Sequence, residues 1–142
     1  ASRKRLQSES RLTWSNELLP PNGVFVDFCA GAGHLGLVVA AARPDSTIYV
    51  VERKKQHTDI AQQRINIIGL KNANVANCDM NQFHVRFDVG TGLHACGPAS
   101  DLIQSRCLAA GAAYVLAPCC YGFIAKALDR YKLSYVDANS NS

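Results

Sequence analysis

Short apolar runs alternate along this chain with longer stretches in which apolar positions return every three or four residues. That alternation predicts strands at 24–29, 47–51, 74–77, 87–93 and 112–117. Between and after them it predicts helices at about 34–43, 54–68, 100–110 and 123–131. The second of these helices shows the pattern best, with Ile60, Ala61, Ile65 and Ile68 on one face and Gly69 as its stop. Ahead of the first strand, Leu6, Leu12, Trp14, Leu18 and Leu19 punctuate a basic, polar stretch that reads as one or two helices. Pro20-Pro21-Asn22-Gly23 then breaks the chain firmly. The expected organisation is a basic helical extension over 1–19, one domain over 20–136 and a polar tail over 137–142. Strands alternating with helices imply right-handed β-α-β units, hence an α/β fold with a mostly parallel sheet and helices on both faces.

The chemically interesting residues share one address. The glycines after strand one, Glu52, Asp79, His94, Cys96, Cys119 and Cys120 all fall just past the C-terminal end of a predicted strand. Open α/β sheets bind ligands at that edge. At the first such end, Gly31-Ala-Gly33-His-Leu-Gly36 provides a tight turn into a helix whose N-terminus favours an anion. Its spacing also fits a dinucleotide fingerprint, with Glu52 as the ribose acid.

Three features favour S-adenosylmethionine over a dinucleotide. Asp27 lies inside strand one, where it can meet an ammonium group. Cys78-Asp79-Met80 suits an adenine pocket, with the carboxylate accepting from the exocyclic amine and Met80 packing on the ring. The chain also has no room for the substrate domain that a dehydrogenase normally needs. The expected cofactor residues are therefore Asp27, Gly31, Gly33, His34, Glu52, Asp79 and Met80, with His34 at the cofactor mouth and the glycine-turn amides facing the methionine carboxylate. Singly, each acid has a plainer reading: Asp27 as a support for the turn, Glu52 as a solvated strand end, Asp79 as a helix cap. His57 and His84 read as surface residues, and Cys78 and Cys107 as core.

Composition narrows the class. The chain has 142 residues, of which 48% are hydrophobic and 18% charged, as in ordinary globular domains. No apolar run approaches a membrane span. Six cysteines scattered through an α/β pattern do not form a secreted disulfide framework, so an intracellular, reducing compartment is expected, cytoplasm or mitochondrion alike. The net charge of +4 concentrates in Arg3-Lys4-Arg5 with Arg11 and in Arg53-Lys54-Lys55, which favours a polyanionic partner.

Val26-Asp-Phe-Cys-Ala-Gly-Ala-Gly-His-Leu-Gly36 resembles motif I of class I methyltransferases. Leu93-His-Ala-Cys-Gly97 followed by Asp101, together with Pro118-Cys-Cys-Tyr-Gly-Phe-Ile124, resembles the methyltransferase-like domain of the glutathione S-transferase C-terminal-domain-containing protein family. More distantly, these motifs resemble the eukaryotic tRNA ribose 2′-O-methyltransferases that carry a His-x-Cys-Gly motif. The resemblance spans roughly residues 24–124. It implies a Rossmann-like methyltransferase core, an S-adenosylmethionine cofactor and an RNA substrate, tRNA or rRNA. Cys29 stands where the family pattern has its first glycine, and no acid-Pro-Pro-aromatic motif follows strand four. The pattern also stops near Leu133-Ser-Tyr135, so the final antiparallel strands of the fold are expected to be missing.

His94, Cys96, Cys119 and Cys120 are the candidate catalytic residues, because neighbouring strands four and five would bring them together. His94 can position or deprotonate a ribose hydroxyl. A cysteine of the pair can instead attack a pyrimidine ring, although the Thr-Cys-Ser signature of such enzymes is absent. The four side chains also offer soft ligands to zinc, which adjacent cysteines chelate awkwardly, and no metal is assigned. Plain packing accounts for them as well. The leading expectation is an S-adenosylmethionine-dependent RNA methyltransferase domain; the alternative is a non-catalytic binding module within a larger ribonucleoprotein assembly, with other protein chains as partners.

Overall fold

The structure, a computed structural model, describes residues 17–93, 95 and 97–116. Residues 1–16 of the predicted helical extension, the predicted helix over 123–131, the tail over 137–142, and His94, Cys96, Cys119 and Cys120 lie outside the described residues. The remaining elements run β1 (Val24–Phe28), α1 (His34–Ala42), β2 (Thr47–Glu52), α2 (Lys55–Ile68), β3 (Ala73–Asn77), a 3₁₀ turn (Met80–Gln82), β4 (Val89–Gly92), α3 (Pro98–Ala109) and β5 (Ala113–Leu116). All strand pairs are parallel and the order is β3-β2-β1-β4-β5. The expected Rossmann-like α/β core is what forms.

β1 is central because both of its faces are apolar. Val26 and Phe28 face one way, into a cluster with Val51, Phe83, Phe87, Ile103 and Cys107. Phe25 faces the other way, toward Leu35, Val39, Ile48 and Val89. Burial on both sides is the condition under which a parallel strand is stable. α1 and α2 cover one face, with Leu37, Val50, Ala61 and Ile65 filling the space between α2 and the sheet. The other face is covered by α3 and by an aromatic group. Phe28 meets Phe83 and Phe87 edge-on at centroid distances of 6.0 and 5.5 Å.

Two boundaries differ from expectation by two residues. β4 starts at Val89 rather than at residue 87, because Phe87 turns down into the aromatic cluster instead of pairing. α3 starts at Pro98, where a proline at the first helical position loses no hydrogen bond. The guanidinium of Arg106 on α3 donates to the Phe83 carbonyl, tying that helix to the aromatic loop.

β4 reads Val-Gly-Thr-Gly, an unpromising strand by propensity. The glycines are there for α3. A Cβ on Gly90 would stand 2.5 Å from Cys107 Sγ, and one on Gly92 would stand 2.5 Å from Ile103 Cδ1. We therefore expect Gly90→Ala to lower unfolding stability by about 1–3 kcal/mol through overpacking. Cys107→Ala should recover much of that loss in the double variant, as read by urea denaturation. Simple additivity of the two substitutions would contradict this account of the close approach.

Candidate cofactor site

The turn after β1 is held from two sides by carboxylates. From inside, Asp27 of β1 lies under the start of α1. The helix cap is Gly33, which has no side chain to accept from the first-turn amides. Asp27 supplies that acceptor from the strand: its Oδ2 takes the Gly36 N–H at 3.1 Å, and Thr91 Oγ1 of β4 donates to Oδ1 at 3.4 Å. Gly36 permits the approach, since a Cβ there would stand 2.9 Å from Val50 Cγ2. From outside, Glu52 at the end of β2 accepts the Gly31 N–H on Oε2 at 2.9 Å and the Lys54 N–H on Oε1 at 3.0 Å.

These bonds correct one expectation. The glycine-turn amides do not all face outward to an anion. Gly31 N–H is taken by Glu52, and Gly33 N–H by the Ala30 carbonyl at 3.0 Å. Gly33 itself sits inward at φ 80, where a Cβ would press on Val50 and Ala61 at 3.3 Å. It shapes the turn and is not among the cleft-lining residues. Cys29 adopts φ 54, a left-handed conformation that a non-glycine residue tolerates at a cost of about 1 kcal/mol or more.

Two clefts open at the C-terminal edge of the sheet and meet at Cys29. The first, about 310 Å³, is walled by Glu52, Arg53, Cys78, Asp79, Met80 and the start of α3. The second, about 290 Å³, is walled by Asp27, Gly31, His34, Leu35, His57 and Leu93 among others. The structure thus gathers Glu52, Asp79 and Met80 at one cleft and Asp27, Gly31 and His34 at its neighbour. Asp79 caps the 3₁₀ turn, with Oδ1 accepting from Asn81 N–H at 2.9 Å while the Gln82 side chain accepts from the Asp79 amide. The plain capping role and the place at the cleft wall hold together. Cys78 lines the first cleft half-buried, whereas Cys107 is core as expected. Among the described residues Cys29, Cys78 and Cys107 are free thiols.

His57 was not expected here. It lines the second cleft, with Nδ1 buried and 4.0 Å from Glu52 Oε1. Its place in the first turn of the helix after Glu52 was the available signal, because the β2 end and that first turn share the ligand edge. His34 is exposed at the same mouth, its Nε2 3.3 Å from an Arg64 nitrogen, and Arg64 donates to the Ala32 carbonyl at 3.1 Å.

Burial pushes the Asp27 carboxyl up to about 7; the Gly36 and Thr91 hydrogen bonds pull it back down, and the Glu52 charge adds to the rise. Below a pH of about 4 the group is protonated folded and unfolded alike. Between there and about 7 the folded chain binds the extra proton, so stability declines as pH rises through that window. Asp27→Asn removes the buried charge. We expect its melting temperature, relative to the unmodified chain, to be higher at pH 8 than at pH 5, by an amount on the order of a few kcal/mol in stability at most. A difference independent of pH would refute the assignment of the titration to Asp27.

Comparison with known proteins agrees with this geometry. A family model described as a methyltransferase domain matches residues 16–127. The glutathione S-transferase C-terminal domain-containing protein homolog of Drosophila melanogaster is 41% identical over 120 residues, covering 84% of this chain and 20% of that protein. The chain therefore spans about a fifth of the length of such curated relatives. The ribosomal RNA small subunit methyltransferase G of Erythrobacter litoralis is 27% identical over 82 residues, covering 58% of this chain and 40% of that one. Among solved structures, the precorrin-6y C5,15-methyltransferase of Geobacter metallireducens superposes with a TM-score of 0.69 at 16% identity, over 87% of this chain and 69% of that one. Among the described residues no helix is long and apolar enough to cross a membrane.

Proposed function

The chain belongs to the methyltransferase-domain family, with S-adenosylmethionine as its cofactor, and from that premise we propose that it serves methyl transfer to RNA. The observation that carries the cofactor assignment is the pair of clefts joined at Cys29, each with its own carboxylate. A bipartite ligand with an adenosine half and an amino-acid half suits that layout. In this reading the adenosine half occupies the first cleft. Glu52 has spent one lone pair on each oxygen and keeps one on each, so it can still accept from a ribose hydroxyl. Asp79 accepts from the exocyclic amine, and Met80 packs on the purine. Asp27, from beneath the second cleft, draws the ammonium group. When bound, the cofactor supplies an electrophilic methyl group, and the chain's own task is alignment of the acceptor and exclusion of water.

The RNA reading rests on two supports. One relative is named as a ribosomal RNA methyltransferase. Arg53 lines the first cleft and continues into Lys54 and Lys55, exposed side chains that suit a phosphate backbone. His94 serves in this proposal as the group that orients or deprotonates the acceptor, with Cys96, Cys119 and Cys120 as further catalytic candidates. Other chains of a larger assembly are proposed as partners.

Two measurements test the proposal. Calorimetric titration of the 142-residue chain with S-adenosylhomocysteine should give micromolar affinity, weakened at least tenfold in Glu52→Ala and in Asp79→Ala. Radiolabelled methyl transfer from S-adenosylmethionine should then appear in tRNA or rRNA and vanish in Glu52→Ala. Cofactor binding without transfer to any RNA would favour the non-catalytic binding module. No binding by a folded sample would overturn the cofactor assignment itself.

A further inference from the structure

His57 takes no part in the hydrogen bonds of the glycine turn, yet the fold places it at the second cleft. Lys54 caps α2, and its carbonyl accepts the backbone N–H groups of His57 and Thr58 at 3.0 and 3.2 Å. His57 therefore sits in the first turn. Side chains in a helix lean toward its N-terminus, which here means toward the end of β2 and Glu52. The imidazole is partly exposed at the second cleft, but Nδ1 is buried and has no hydrogen-bond partner among the described residues. An orphaned buried ring nitrogen is unfavourable unless some state of the protein satisfies it. Glu52 Oε1 lies 4.0 Å away; it already accepts from Lys54 N–H and retains one lone pair.

We propose that His57 is a positioning residue for Glu52: with the proton on Nδ1, it donates to the remaining lone pair of Oε1 and holds the carboxylate so that the free lone pair of Oε2 receives a ribose hydroxyl of the cofactor. A ring movement of roughly 1 Å brings the pair to hydrogen-bond distance. The neutral ring suffices, because one of its two nitrogens always carries a proton. The inference rests on the reading of Glu52 as the ribose acceptor. It assigns His57 to ligand selection, in favour of adenosyl ligands that carry a ribose hydroxyl.

The test is calorimetric titration of the 142-residue chain with S-adenosylhomocysteine and with its 2′,3′-dideoxy analogue. His57→Phe keeps a ring and removes Nδ1; His57→Gln places its amide where Nε2 stood; His57→Asn places its amide where Nδ1 stood. Thermal unfolding verifies that each variant folds, and the glutamine variant stands in should the phenylalanine one fail. We expect His57→Phe and His57→Gln to bind S-adenosylhomocysteine about five- to tenfold more weakly than the unmodified chain, and His57→Asn to recover most of that loss. The dideoxy analogue should bind all four chains alike. Equal affinity of the phenylalanine and glutamine variants for S-adenosylhomocysteine would overturn the proposal, as would an equal loss for both ligands. If the unmodified chain itself does not distinguish the two ligands, the ribose role of Glu52 fails and this inference falls with it.

Discussion

The turn over residues 29–33 must leave a central strand, clear its neighbours and enter a helix, all at the sheet edge where a ligand binds. Its geometry depends on two carboxylates that act from opposite sides. Asp27, buried beneath, takes the Gly36 N–H that a glycine cap leaves without a side-chain acceptor, and Glu52, across the edge from β2, takes the Gly31 N–H. Gly36 and Gly33 then have to be small, because Val50 and Ala61 close in on that side. The cleft walls follow from this arrangement. Cys29 is held in a left-handed conformation between the two clefts, and Glu52 is held with its remaining lone pairs available.

The arrangement puts turn support and cleft lining on the same side chains. Asp79 caps the 3₁₀ turn and also walls the first cleft. Asp27 caps α1 and also lines the second, as a buried acid whose proton affinity is raised toward neutrality by desolvation. A cationic ligand group beside it would favour its ionised form, which couples occupancy of the cleft to the protonation of the strand beneath.

Much of this was legible in the residues. The β1 pattern, the glycine spacing and the acids at strand ends foretold the parallel sheet and the gathering of these acids and glycines along one of its edges, because period and position at a strand end are local properties of the chain. What was not legible depended on contacts distant in sequence. Phe87 left its strand for an aromatic cluster with Phe28 and Phe83, which shortened β4. Gly90 and Gly92 were set by Cys107 and Ile103 on α3. The engagement of Gly31 N–H by Glu52 followed from strand register, in which Phe28 pairs with Val51 and brings the β2 end against the turn. His57 looked like a surface residue because only the tertiary fold turns its ring toward Glu52.

The central claim is that one ligand spans both clefts across Cys29, held by Glu52, Asp79 and Asp27. Amide NMR of the isotope-labelled chain during titration with S-adenosylhomocysteine tests it most directly. The account predicts saturable shifts at Gly31 and Lys54, whose amides bond Glu52, at Asn81, whose amide bonds Asp79, and at Gly36, whose amide bonds Asp27. All should follow one binding curve. Shifts confined to one of these groups, or appearing on α3 and β5 with the strand-end amides unmoved, would contradict it.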